Sequence, residues 1–378
     1  MPMMKHRILK PPTGSFFLLG PRGTGKSVWV RSTFPDAMFI DLLDPEVYRL
    51  YAARPERLRE RIAAEPHVQT VVIDEIQKLP VLLEVVHQVI SSGPPIRFVL
   101  TGSSARKLRR GNVNLLGGRA SQVSMHPYLA SEMGDTFALE SALENGLVPI
   151  VVESDSPSET LRAYTSLYIK EEVFAEGLVR NTEHFSRFLE AISFSHGEVL
   201  TISNVASECG VSRKTVENYI QIMEDLMLAY RVPVFTRHAK RELVGHPKFY
   251  FFDTGVFRSL RPVGPLDDRS AIGGHALEGL VAQHLRAACD YAADGRQLYY
   301  WRTRTGIEVD FIVYGPDTLE AYEVKSTDVV RDADLKALRA FVEEYPGTTA
   351  TLLYRGRERL VRHGITIVPI EQWMESVA

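Results

Sequence analysis

The chain has 378 residues, 45% of them hydrophobic and 24% charged, with a formal net charge of -3. That length exceeds what one core serves and predicts two or three domains. The near-neutral balance excludes a uniformly basic protein, so contact with nucleic acid has to come from local patches. Two cysteines, Cys209 and Cys289, stand in no pairing or metal-binding pattern and predict a reducing compartment. No apolar run reaches membrane-spanning length, and Met1-Pro2-Met3-Met4-Lys5-His6-Arg7 has no apolar signal core behind it. A cytoplasmic location with no membrane partner is therefore the expectation.

The first informative stretch is Gly20-Pro21-Arg22-Gly23-Thr24-Gly25-Lys26-Ser27, preceded by the apolar run Phe16-Phe17-Leu18-Leu19. It fits G-x-x-x-x-G-K-[ST] between a buried strand and a helix that begins with Val28-Trp29-Val30-Arg31. Backbone N–H groups of such a loop cradle the triphosphate oxygens of ATP. Lys26 supplies a point charge between the outer phosphates, and Ser27 holds Mg²⁺. A glycine-rich turn that binds nothing would need neither the full spacing nor the strand.

Next, residues 37–41 read as a short strand and residues 55–64 as a charged helix. Val71-Val72-Ile73-Asp74-Glu75 is an apolar strand ending in two acids, of the kind expected beside the first strand. Asp74 would reach the Mg²⁺ shell and Glu75 would polarise the attacking water. The plainer alternative is that both acids cap the helix starting near Pro80. A further strand over residues 96–101 ends in Gly102-Ser103-Ser104, and Ser103, at the tip between the two nucleotide strands, is the candidate γ-phosphate sensor. This order is that of an additional-strand ATPase, the group that includes AAA+ proteins. Residues 97–120 carry basic side chains and no acid. Arg106, Lys107, Arg109 and Arg110 would lie on one helix, to reach a neighbouring subunit's phosphate or to line a nucleic-acid channel. Arg119, flanked by glycines, is the candidate arginine finger.

Residues 136–144 and 158–180 have helical spacing and suit a small helical lid or a plain linker bundle. From Ser186 the pattern becomes that of a helix-turn-helix: a helix with Phe188, Leu189 and Ile192, a second over residues 202–209, a turn at Gly210-Val211-Ser212, and a third starting at Arg213 with Ser212 as N-cap. Residues 228–232 and 234–237, bridged by Pro233, would form a wing. Arg213 and Lys214 would face DNA from the third helix, and Arg237 and Lys240 would contact phosphates from the wing. Winged helices that serve only as packing modules are the alternative.

In the last part, residues 248–253 form a strand leading to Thr254-Gly255, followed by a helix with an apolar stripe of Leu277, Leu280, Val281 and Leu285. Glu278 falls inside that stripe, about 20° from Leu285 on an ideal helix, and a carboxylate there needs a partner or a metal. Residues 306–313 and 319–325 read as paired strands turned by Gly315-Pro316-Asp317. Alternation puts Glu308 and Asp310 on one face and Glu323 and Lys325 on one face. Asp310, Glu323 and Glu278 could converge on Mg²⁺, with Lys325 catalytic at a scissile phosphate. Cross-strand surface salt bridging is the alternative.

These pieces together resemble the bacterial and archaeal ATPases that join an AAA-type P-loop domain to a C-terminal DUF4143 domain. The resemblance rests on residues 17–27, 72–77, 100–106, 118–120, 250–255 and 306–310, with Glu323-Val324-Lys325. The last pair is similar to a PD-(D/E)xK nuclease core keeping Asp310, Glu323 and Lys325, with Val309 where the motif's proline stands. The expected fold is α/β: a P-loop AAA+-type core over 1–132, a helical lid over 133–185, a winged helix over 186–245 and a nuclease-like α/β domain over 246–378. The resemblance implies ATP binding and hydrolysis with Mg²⁺, a homo-oligomer as a hexameric ring or a dimer, and work on DNA. Two rival expectations are an ATP-dependent endonuclease and a nucleotide-switched regulator that binds DNA or protein.

Overall fold

The computed structural model describes residues 5–93, 95–104, 115–168, 173–174, 181–236 and 245–377. Its contacts divide the chain into two compact units, Met1–His126 with Asp225–Met227, and Pro127–Glu224 with Leu228–Ala378. The four consecutive segments expected from sequence thus fall into two bodies.

In the first unit, β1 (Phe16–Leu19), β2 (Met38–Asp41), β3 (Thr70–Asp74), β4 (Arg97–Gly102) and β5 (Ser121–Ser124) form one sheet in the order β2-β3-β4-β1-β5. Every neighbouring pair is parallel. The sequence shows why: β1 and β3 are near-continuous apolar runs, as strands covered on both faces must be. Helices α1 (Lys26–Thr33), α2 (Pro45–Ala53), α3 (Arg57–Ala64) and α4 (Leu82–Ser92) connect them. Leu19, Ile40, Ile73, Leu82, Val86 and Leu100 are fully buried in the shared core. One expectation is corrected. The acidic strand β3 does not lie beside β1, because β4 pairs with both and separates them. Helix α2 was also unforeseen, although its start is legible: Asp44 Oδ1 accepts from the N–H groups of Glu46 and Val47 at 2.7 and 3.3 Å, and Pro45 takes the first helical position.

In the second unit, which starts at Pro127, α5 (Leu139–Asn145) and α6 (Pro157–Ala163) lie within the stretch expected to be a lid. The helix expected from 158 instead widens into a π-turn at Tyr164–Tyr168. These helices pack inside their own unit: buried Asp253 accepts from Leu147 N–H at 2.7 Å and from Val256 N–H at 3.1 Å, capping α10 (Thr254–Leu260). Between them lie α7 (Thr182–Ser193), α8 (Ile202–Cys209) and α9 (Arg213–Asp225). Gly210, at φ 65°, closes α8, with Val211 N–H on Ala206 O and Gly210 N–H on Ser207 O. Ser212 Oγ then accepts from Thr215 N–H at 3.1 Å to open α9. Tyr219 of α9 packs edge-on to Phe185 of α7, ring centroids 5.3 Å apart.

The hairpin expected from residues 228–232 and 234–237 is not the one formed. β6 (Ala229–Val232) pairs antiparallel with β7 (Lys248–Phe251). Phe235 goes elsewhere, its N–H on Tyr300 O at 2.6 Å and its ring buried with Trp301 and Phe341. Burying an aromatic ring is worth more than a solvated wing at that position. The domain boundary placed at 245 consequently runs through a strand pair. After α11 (Arg269–Ala292), a mixed six-stranded sheet in the order β12-β13-β11-β10-β9-β8 is built from β8 (Gln297–Arg302), β9 (Glu308–Gly315), β10 (Thr318–Lys325), β11 (Thr349–Tyr354), β12 (Leu360–Arg362) and β13 (Ile365–Pro369). The expected turn at Gly315-Pro316-Asp317 does join β9 to β10, with Gly315 opposite Thr318 and Phe311 opposite Tyr322. Among the described residues no helix is long and apolar enough to cross a membrane.

Candidate functional site

The phosphate-binding loop leaves β1 at Leu19 and enters α1 at Lys26. Two left-handed glycines, Gly23 at φ 82° and Gly25 at φ 85°, give it its curvature, a conformation costly for any side chain-bearing residue. Gly25 occupies the N-cap of α1, so no side chain caps the helix and its first-turn N–H groups stay directed at the loop's interior. Gly20 N–H donates to Gly102 O at 3.3 Å, fastening the loop to the tip of β4. Lys26 is buried, and its Nζ donates to the carbonyls of Gly20 at 2.7 Å and Pro21 at 3.0 Å. Thr24 Oγ1 also donates to Pro21 O, at 2.8 Å. Arg22, Gly23 and Ser27 are half-buried.

Across from the loop, the inserted strand β4 organises the acids. Asp74, at the end of β3, is buried and accepts from Thr101 Oγ1, which in turn accepts from Glu75 N–H at 3.0 Å. Glu75 itself sits in the left-handed region at φ 59°, a conformation that a glutamate adopts at a cost and that ends the strand sharply. Gln77 Nε2 bridges Glu75 Oε2 at 2.5 Å and the buried Ser103 Oγ at 3.0 Å. The structure therefore joins the polar tip of β4 to both acids, and Thr101 and Gln77 are participants that the sequence reading did not assign. Thr101 had a readable signal, a hydroxyl at the tip of an apolar strand; Gln77 had none until the 3₁₀ turn after Glu75 folds it back.

Arg119 follows a left-handed pair, Leu116 and Gly117, is exposed, and hydrogen-bonds His87 Nε2 of α4 at 2.7 Å. Arg106, Lys107, Arg109 and Arg110 lie outside the described residues, as do Arg237 and Lys240. Arg213 and Lys214 are exposed on the first turn of α9.

The acids named in the second unit are buried or half-buried, but they meet around a residue that the sequence reading passed over. Lys248 of β7, 3% exposed, places Nζ 2.6 Å from Glu308 Oε1, 3.0 Å from Glu278 Oε1 and 3.8 Å from Asp310 Oδ1. Tyr250 OH donates to the same Glu278 oxygen at 2.6 Å. Asp310 Oδ2 accepts from Val324 N–H at 2.8 Å, and Glu323 Oε1 accepts from Lys325 Nζ at 2.6 Å. Burial pushes the Glu278 carboxyl up to about 7 against the pull of Lys248, and burial with the Asp310 charge pushes Glu323 up to about 8. The Lys248 ammonium is held charged above its ordinary value, because its three carboxylates outweigh the cost of burial.

Residues 13–134 match an AAA domain and residues 273–373 match DUF4143, a domain of unknown function. An AAA-type ATPase domain followed by a DUF4143 domain is what the sequence resembles, and both parts are matched. Residues 136–267 match a third model, DUF8612, also a domain of unknown function. The chain is 24% identical over 369 residues to the uncharacterized proteins Mb2031c of Mycobacterium bovis and Rv2008c of Mycobacterium tuberculosis, covering 94% of this chain and 80% of each relative. A solved structure, protein VC1899 from Vibrio cholerae, is 12% identical over 96% of each chain, with a TM-score of 0.22, too low to bear on the fold.

Proposed function

We propose that this chain is a Mg²⁺-dependent ATPase that spends ATP to act on DNA. The observation that carries the reading is the convergence at one end of the parallel sheet: a glycine loop opening an uncapped helix, a buried lysine on the loop's own carbonyls, and two acids tied to the tip of the inserted strand. The residues fit the nucleotide. Gly20, Pro21, Arg22, Gly23, Thr24 and Gly25 would wrap the phosphates, Lys26 would exchange neutral carbonyls for phosphate oxygens, and Ser27 with Asp74 would hold Mg²⁺. Glu75 would take the proton of a water, positioned with Ser103 through Gln77. Bound Mg²⁺ and Lys26 supply the positive charge that the departing phosphate oxygens require.

The DNA part is supported by α8 and α9, crossing through a Gly210 turn, with Arg213 and Lys214 exposed where α9 begins and the β6–β7 hairpin following. This is the element order of a winged helix. A homo-oligomer, ring or dimer, would let Arg119 exchange His87 for a neighbour's phosphate. The test is the ATP hydrolysis rate of the full chain alone and with single-stranded, duplex and branched DNA. Stimulation by one of them is expected. A rate indifferent to all three, with no retardation of any in a binding assay, overturns the DNA part and leaves an ATPase.

A further inference from the structure

We infer that the acidic centre of the second unit is a closed ionic core in which the Lys248 ammonium stands where a divalent cation would, so that this module holds no catalytic metal and cuts no phosphodiester. Three elements distant in sequence contribute: Lys248 from β7, Glu278 from α11, and Glu308 with Asp310 from β9. A nuclease-like metal would sit between Glu278, Asp310 and Glu323, within about 2.1 Å of their oxygens if it were Mg²⁺. Nζ already lies between the first two, hydrogen-bonded to Glu278 at 3.0 Å and 3.8 Å from Asp310, and Glu308 closes the third side at 2.6 Å.

Two further carboxylate oxygens are engaged within the protein. Asp310 Oδ2 is turned to the Val324 N–H, and Glu323 Oε1 to Lys325. Glu323 Oε2 is buried without a hydrogen-bond partner. Among the described residues no set of three or more His, Cys, Asp or Glu side chains is placed to hold a metal ion. The Tyr300 ring, 5.7 Å from Nζ, and Tyr250 complete a cage built for a monovalent organic cation. The lysine thus locks β7, α11 and β9 together.

The experiment is a calorimetric titration of the nucleotide-free full chain with Mn²⁺. Wild type is expected to show no Mn²⁺ site that Asp310→Asn removes. Lys248→Ala, which empties the cage and leaves its carboxylates, is expected to gain one site per chain, lost again in Lys248→Ala/Asp310→Asn. A wild-type site abolished by Asp310→Asn, or a folded Lys248→Ala chain that gains none, overturns the inference. Should Lys248→Ala not fold, wild-type melting decides: the same melting temperature in EDTA and in Mn²⁺ upholds the inference, and an Asp310-dependent rise in Mn²⁺ overturns it. Mn²⁺-dependent nicking of supercoiled DNA that Asp310→Asn removes would overturn it as well.

Discussion

Two buried lysines divide this molecule between them. Lys26 rests on the neutral carbonyls of Gly20 and Pro21, partners that a phosphate oxygen outcompetes. Lys248 rests on the carboxyl groups of Glu278, Glu308 and Asp310, buried or half-buried partners that a ligand displaces only at a desolvation cost. The contrast teaches that a buried ammonium is read by its acceptors. One bonded to main-chain oxygen in a glycine loop stands where a phosphate would bind, whereas one held by carboxylates joins elements of the fold.

The largest effect should come from breaking the first lysine. Lys26→Ala is expected to lower the rate of phosphate release by roughly a hundredfold or more, the scale of losing one group that stabilises transition-state charge. Its folding should be unchanged. A residual rate within tenfold of wild type would erase the distinction between the two lysines. Removing the second should do the reverse: Lys248→Met should cost about 3 kcal/mol of second-unit stability in urea while the first unit's unfolding transition keeps its midpoint, because three carboxylates lose their cation. A loss under about 1 kcal/mol would mean that water replaces the ammonium readily.

A smaller effect sharpens the same contrast on the neutral side. Asp253→Ala frees the N–H groups of Leu147 and Val256, and about 2 kcal/mol should disappear from the second unit. Matching melting curves for wild type and variant would contradict the capping role.

The smallest effects are slopes against pH. His284 accepts from Ala130 N–H on Nε2 at 3.0 Å, so its proton sits on Nδ1 toward Leu280 O, and burial lowers its pKa to about 4. Between about 4 and 6.5 the folded chain binds fewer protons there than the unfolded chain, and stability rises with pH. Glu323, raised to about 8, binds more protons when folded between 4.5 and 8, and stability falls with pH. Relative to wild type, His284→Gln should therefore flatten the loss on the acid side and Glu323→Gln the loss on the alkaline side. Thermal melts from pH 5 to 8 measure both, and slopes unchanged by either substitution would refute the assignment.

The sequence by itself determined the glycine loop, the strands β1 to β4 around it and the turn between α8 and α9, whereas β5, β8 and β11 to β13 carried no signal that was read. Glycines at 23 and 25, the apolar runs around them and the cap at Ser212 act over a few residues, and local physics settles them wherever the rest of the chain lies. It also carried the β9–β10 hairpin, whose turn residues sit between two alternating runs. The insertion of β4 between the phosphate-loop strand and the acidic strand follows the order read from the sequence, but only the tertiary structure decided that Phe235 joins a core instead of a wing, and that β7 pairs with β6 and carries Lys248 into the acids. Those outcomes depend on which distant segments meet. Side chains at 248, 278, 308 and 310 declare their charge in the sequence, but a charge becomes a cation site, a metal site or a lock according to what it faces.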